Sequence, residues 1–285
     1  MRIMATTTRM TTITGMTRGM GIPTITITIT ITITITITAT HTTTTGMDTA
    51  TNIEPAAADA GAWLQLMWLA SPALPVGGFS YSEGLEAAVE AGFVTGEDTA
   101  RDWLVNQMAL GPARADLPVL ANAHDAWTRH DLTRATVLND FVSRTRETHE
   151  LRAQSLQMGR SLLEWLRNQP GAAADARVAH LAVMAPAPTW TVSFALATAR
   201  AGAGAAQAMH AHLFGWAENL VQAALKAVPL GQLAGQRILQ ALVERMPALV
   251  AEALARPESD WQAFAPGLAI ASARHETQYS RLFRS

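Results

Sequence analysis

The stretch GQLAGQRILQALVERMPALVAEALAR, from Gly231 to Arg256, sets the reading of the chain. Ile238, Leu239, Leu242, Val243, Met246, Leu249, Val250, Ala253 and Leu254 recur at intervals of three and four, the spacing that lines one face of an α-helix. Pro247 is expected to kink this helix or to start a second one, because proline lacks an amide donor and crowds the preceding turn. Just upstream, KAVPLGQ from Lys226 to Gln232 carries Pro229 and Gly231 and reads as a reversal between two apolar helices.

The same material extends back to Trp63: Ala, Leu, Gln, Glu, Arg and Met dominate, and β-branched or tyrosine-rich runs are scarce. Helices are expected near 62–69, 82–92, 97–110, 116–127, 131–167, 175–184, 190–201, 205–225, 230–245 and 247–255. The fold class is therefore all-α, one compact domain of about ten helices over residues 56–285. The scattered Trp and Met residues read as core rather than as a cofactor box. Residues 1–55 are a different material, in which Thr and Ile alternate from Thr24 to Thr38. A period of two suits a strand, and an uncharged β-prone run is also aggregation-prone. The segment has the form of neither a signal peptide nor a transmembrane helix. It reads as a disordered low-complexity extension or as a start placed too far upstream; the second is preferred, with Met47 as the true start.

Composition excludes several classes. The chain of 285 residues has a formal net charge of -2 and shows no clustered basic patch, so nucleic-acid binding is not expected. Only 15% of residues are charged, against about 25% in an average protein, which suits a surface that is covered in an oligomer or complex. Without cysteine there is neither a disulfide framework nor a thiolate metal site, and a cytoplasmic location is compatible with that.

Catalytic motifs are missing. Gly78-Phe79-Ser80-Tyr81-Ser82 fails as a nucleophile elbow at its last residue, and no Lys-Ser/Thr follows Gly77-Gly78 to make a nucleotide loop. His275-Glu276 begins like a zinc-protease motif, but Tyr279 stands where the second histidine belongs. No metal ligand set is expected. An enzyme would have to rely on Glu83, Glu150 and His275.

Three further segments carry information. SPALPVGGFSYSEGLE, 71–86, is a stiff loop leading into a helix: Gly77 and Gly78 allow a sharp turn, Ser80 and Glu83 have capping-box spacing, and Phe79 and Tyr81 are rings placed to make contacts. ELRAQSLQMGRSLL, 150–163, puts Ser155 and Gly159 on one helix face, for an internal crossing or a dimer seam. HETQYSRLFRS, 275–285, spaces Tyr279, Leu282 and Phe283 as one face of a helical turn, to dock on its own core or on another protein.

Together LASPALPVGGFSYSEGLE, ELRAQSLQMGRSL, AVPLGQ and HETQYSRLFRS resemble the urease accessory protein F family (UreF), over roughly Leu64 to Ser285. The resemblance implies an all-helical, homodimeric, non-enzymatic chaperone or scaffold. It would bind accessory protein D (H in some species) and recruit the GTPase G for nickel delivery to apo-urease, with no cofactor held tightly itself. The tail His275, Glu276, Gln278, Tyr279, Arg281, Leu282, Phe283 and Ser285 would then order against D/H. Arg281 of the RLF motif and the Phe79, Ser80, Tyr81 loop would help form the GTPase-facing surface. Residues 1–46 have no counterpart in that pattern. A competing class is an assembly protein driven by the Ile-Thr repeat.

Overall fold

The computed structural model describes residues 57–285; the expectations about residues 1–55 and about Met47 lie outside them. Eleven helices are present and, among the described residues, no strand: α1 (Ala57–Ala70), α2 (Leu85–Glu90), α3 (Glu97–Leu110), α4 (Asp116–Thr128), α5 (Leu132–Thr145), α6 (His149–Arg167), α7 (Ala176–Ala182), α8 (Trp190–Arg200), α9 (Ala205–Ala227), α10 (Gln232–Ala255) and α11 (Pro266–Glu276). The centre is α8, whose residues Thr191 to Thr198 are all buried. A helix hydrophobic all round belongs inside, and α4, α6 and α9 pack around it.

Helix α10 is unbroken across Pro247. Ile238, Leu242, Met246, Val250 and Ala253 are buried on both sides of the proline, so the continuous core seam outweighs the ~3 kcal/mol that an interior proline costs. Val243 and Leu254, counted on the same stripe, are exposed at its edges. The stretch read as one helix over 131–167 is two. Arg146 is extended at the end of α5, its guanidinium turned onto Asp116, and Thr148 caps α6 by accepting from the Leu151 amide.

Gly159 fixes how α6 meets α8. A Cβ there would lie 2.1 Å from the Pro188 carbonyl oxygen, so only glycine admits this backbone approach. Ser155, one turn earlier, is also buried. The pair serves an internal crossing, and the dimer seam considered for it is taken up inside the chain. Of the residues read as core, Trp127 and Met108 are fully buried, whereas Trp63, Met67 and Trp68 on α1 are exposed.

Candidate functional site

The loop between α1 and α2 is shaped by Gly77, at φ 77, which opens a 3-10 turn over Gly78–Ser80. Next to it, the Gly78 position sits against the Asn219 amide on α9. Phe79 is 59% exposed on this turn. Tyr81, expected beside it on the surface, is buried instead: the backbone becomes extended after the turn and aims the ring into the core. Nor does Ser80-Glu83 form a capping box. Glu83 adopts φ 49 and its carboxylate turns inward, accepting from Gln107, Gln154 and Trp216.

The last four residues lie against this loop. The Arg284 amide donates to the Ser80 carbonyl (2.8 Å), and the Ser82 hydroxyl donates to the Ser285 carbonyl (2.6 Å). Glu86, on α2, accepts from the Leu282 amide (2.7 Å) with one oxygen and from the Phe283 amide (3.0 Å) with the other. Ser285 Oγ completes the clasp on Gln154. Phe283 is buried in the main core, with the Lys226 ammonium 5.8 Å from its ring centre.

The tail is therefore docked on its own chain, and the helical face expected for Tyr279, Leu282 and Phe283 does not form. Helix α11 ends at Glu276, and the amides of Leu282 and Phe283 are spent on Glu86 rather than on helix carbonyls. The irregular backbone sends neighbouring rings apart: Phe283 goes inward, while Tyr279 and Leu282 are 105% and 69% exposed.

Beneath the tail, His275 is wholly buried between two carboxylates, Nδ1 lying 2.8 Å from Glu150 and Nε2 3.1 Å from Glu86. Arg281 donates to the second oxygen of Glu150 (2.8 Å) and remains 41% exposed. Glu276 accepts from the Glu150 amide, and Gln278 donates to the Ser280 carbonyl. Glu150 and His275 are thus joined as tail anchors, while Glu83 faces other partners. The His275 nitrogens point to different carboxylates, and among the described residues no group of three His, Asp or Glu is placed to hold a metal ion.

Sequence reasoning passed over Ser82 and Glu86, two of the residues that bind the chain end. A signal existed in Glu86: it is the one carboxylate among Leu85, Ala87 and Ala88, all buried. A charge in an apolar run needs partners.

The UreF family model matches residues 94–243. The urease accessory protein UreF of Methylibium petroleiphilum is 59% identical over 232 residues, 81% of this chain and 98% of that protein. The chain belongs to the UreF family. The UreF of Paracidovorax citrulli is 58% identical over 233 residues, 81% of this chain and 92% of its own. The bifunctional urease accessory protein UreEF of Bordetella bronchiseptica is 44% identical over 232 residues, 80% of this chain but 53% of that protein.

This UreF family member also has a partly open cavity of about 110 Å³ between α1, α4, α6, α8 and α9, with a mainly apolar lining into which a few charged and polar groups project. Asp116 pairs there with Arg146 and accepts from Thr191. Burial opposes ionisation of Asp116, but the Arg146 charge and hydrogen bonds outweigh it and hold the carboxyl below its usual range. Burial pushes Glu83 up despite the Trp216 and Gln154 hydrogen bonds. Among the described residues His212 meets no hydrogen-bond partner, and burial lowers it to about 4. Among the described residues, no helix is long and apolar enough to cross a membrane.

Proposed function

We propose that the chain is a non-catalytic urease accessory factor that bridges the D/H accessory protein and the GTPase G while nickel is inserted into apo-urease. Nickel is cargo of the complex in this reading, and no cofactor is held by the chain. One observation carries it beyond family membership: the PVGGF loop and the RLF tail, some two hundred residues apart, are joined by the Arg284–Ser80 and Ser82–Ser285 hydrogen bonds into one surface. Phe79, Tyr279 and Leu282 stand out from that surface with Arg281 among them. Apolar rings raised on a fixed support are typical of protein contact sites.

The placements support a division of labour in this reading. Tyr279 and Leu282 supply the apolar contact with D/H, and Phe283 holds the tail in position from inside. Arg281 and Phe79 face the GTPase. A homodimer in the cytoplasm stays part of the proposal on the low charge of the chain alone, since Ser155 and Gly159 are used internally.

Pull-downs with both partners test this reading. Tyr279→Ala with Leu282→Ala is expected to weaken D/H capture. Arg281→Ala is expected to keep D/H and to capture the GTPase poorly, by roughly 30-fold, if the guanidinium is half of a desolvated charge pair there. Normal GTPase capture and normal urease activation by Arg281→Ala would overturn that assignment.

A further inference from the structure

We propose that the groove between α6 and the C-terminal tail docks a carboxylate-rich segment of a partner protein, an inference that rests on the GTPase-recruiting reading and narrows it to an acidic face of that partner. The groove holds about 650 Å³. Arg152 and Arg160 line it from α6, at i and i+8, and Arg281 and Arg284 line it from the tail. The whole chain carries 21 Lys and Arg against 23 Asp and Glu, so four guanidiniums around one groove are a local concentration that composition does not account for.

Two carboxylates stand against the four guanidiniums of the groove. Glu150 is engaged by His275 and Arg281, and Glu276 accepts from the Glu150 amide. Among the described residues, Arg152, Arg160 and Arg284 form no ion pair, and Arg152 reaches only the Arg146 carbonyl, at 3.5 Å. Most arginines elsewhere are different: Arg101, Arg129, Arg144, Arg167 and Arg237 each have a carboxylate within 3.1 Å, and the exposed Arg245 and Arg274, also without an ion pair among the described residues, line no groove with other arginines. A guanidinium presents its donors as a planar fork that matches a carboxylate in two hydrogen bonds. The Arg284 backbone is tied to Ser80 by its amide, which anchors the base of that side chain at the groove. A groove lined this way complements glutamate and aspartate side chains.

The test uses the full chain in complex with D/H, purified GTPase and a hexaglutamate peptide as direct probe. Arg152→Glu with Arg160→Glu changes two exposed side chains outside the loop–tail clasp, and its circular dichroism and melting should match wild type. The expected result is GTPase binding weakened about tenfold or more, with a flatter dependence on salt, and hexaglutamate binding abolished. Arg245→Glu, a reversal on the exposed side of α10, should leave both unchanged. Hexaglutamate binding that survives the double substitution, or that Arg245→Glu weakens equally, overturns the groove. Hexaglutamate binding lost while GTPase capture is unchanged upholds the groove and removes the GTPase as its occupant. That pattern separates a failure of the recruiting reading from a failure of the inference.

Discussion

In the interior, Asp116 is met by the Arg146 guanidinium and the Thr191 hydroxyl, three groups fixed on or beside the central helices. Beneath the tail, Glu86 is met by the Leu282 and Phe283 amides and the His275 ring, groups brought in by the end of the chain. Both carboxylates are buried. They differ in what their loss would expose. The Asp116–Arg146 pair, though its guanidinium is 24% exposed, is carried by helices that stay packed in the core, whereas the tail can peel away and hydrate its amides. The first cluster should therefore report on the fold and the second on a removable surface.

The largest effect is expected from Arg146→Met, which leaves Asp116 buried without its counter-charge. Removing one member of a buried ion pair costs about 3–5 kcal/mol. Chemical denaturation should show that loss; a change under 1 kcal/mol would put the two clusters on the same footing.

Next comes pH. His212 falls from an ordinary value near 6.5 to about 4 in the folded chain because burial disfavours its charged form. Between those values the unfolded state binds the extra proton, so stability is present above pH 6.5 and is lost as pH falls toward 4, by about 3 kcal/mol in all. Glu83, raised by burial, works in the opposite sense, its contribution being lost as pH rises through its folded value. Asp116, held low against its own burial by Arg146, loses its contribution only at more acid pH. Urea titrations from pH 7 to 4 should show a slope that His212→Phe flattens. An equal slope in that variant would remove His212 as the cause.

Glu86→Gln is a smaller and more local change. It replaces one of two acceptors with a donor facing a backbone N–H, at about 1–3 kcal/mol. The tail should become a protease target while helical circular dichroism is retained. Unaltered proteolysis would show that Phe283 alone holds the tail. The smallest effect belongs to Tyr279→Ala: a side chain this exposed should shift stability by no more than about 0.5 kcal/mol. A larger loss would mean that the tail contributes to the fold as well as to the surface.

Legibility followed the same divide. The α10 stripe, the KAVPLGQ reversal, and α3 at 97–110 were readable because apolar spacing and turn residues are local properties. The break at Arg146–Thr148 was not, since it depends on Asp116 pulling the guanidinium away. In the tail, the residues that form the surface could be named, but the spacing of Tyr279, Leu282 and Phe283 suggested one face where Glu86 imposes two.

By itself, then, the sequence determined the helical class, the order of helices α3, α4, α8, α9 and α10, the absence of cysteine chemistry and the four motifs that mark the family. These rest on the periodicity and residue type of neighbouring positions. Only the tertiary structure decided that Gly159 is spent on the α6–α8 crossing, that Phe283 points inward and Tyr279 outward, and that Glu86, His275 and Glu150 form one buried clasp. Each of those depends on groups distant along the chain meeting in space, where an unpaired buried charge or a colliding backbone costs more than any local preference can return.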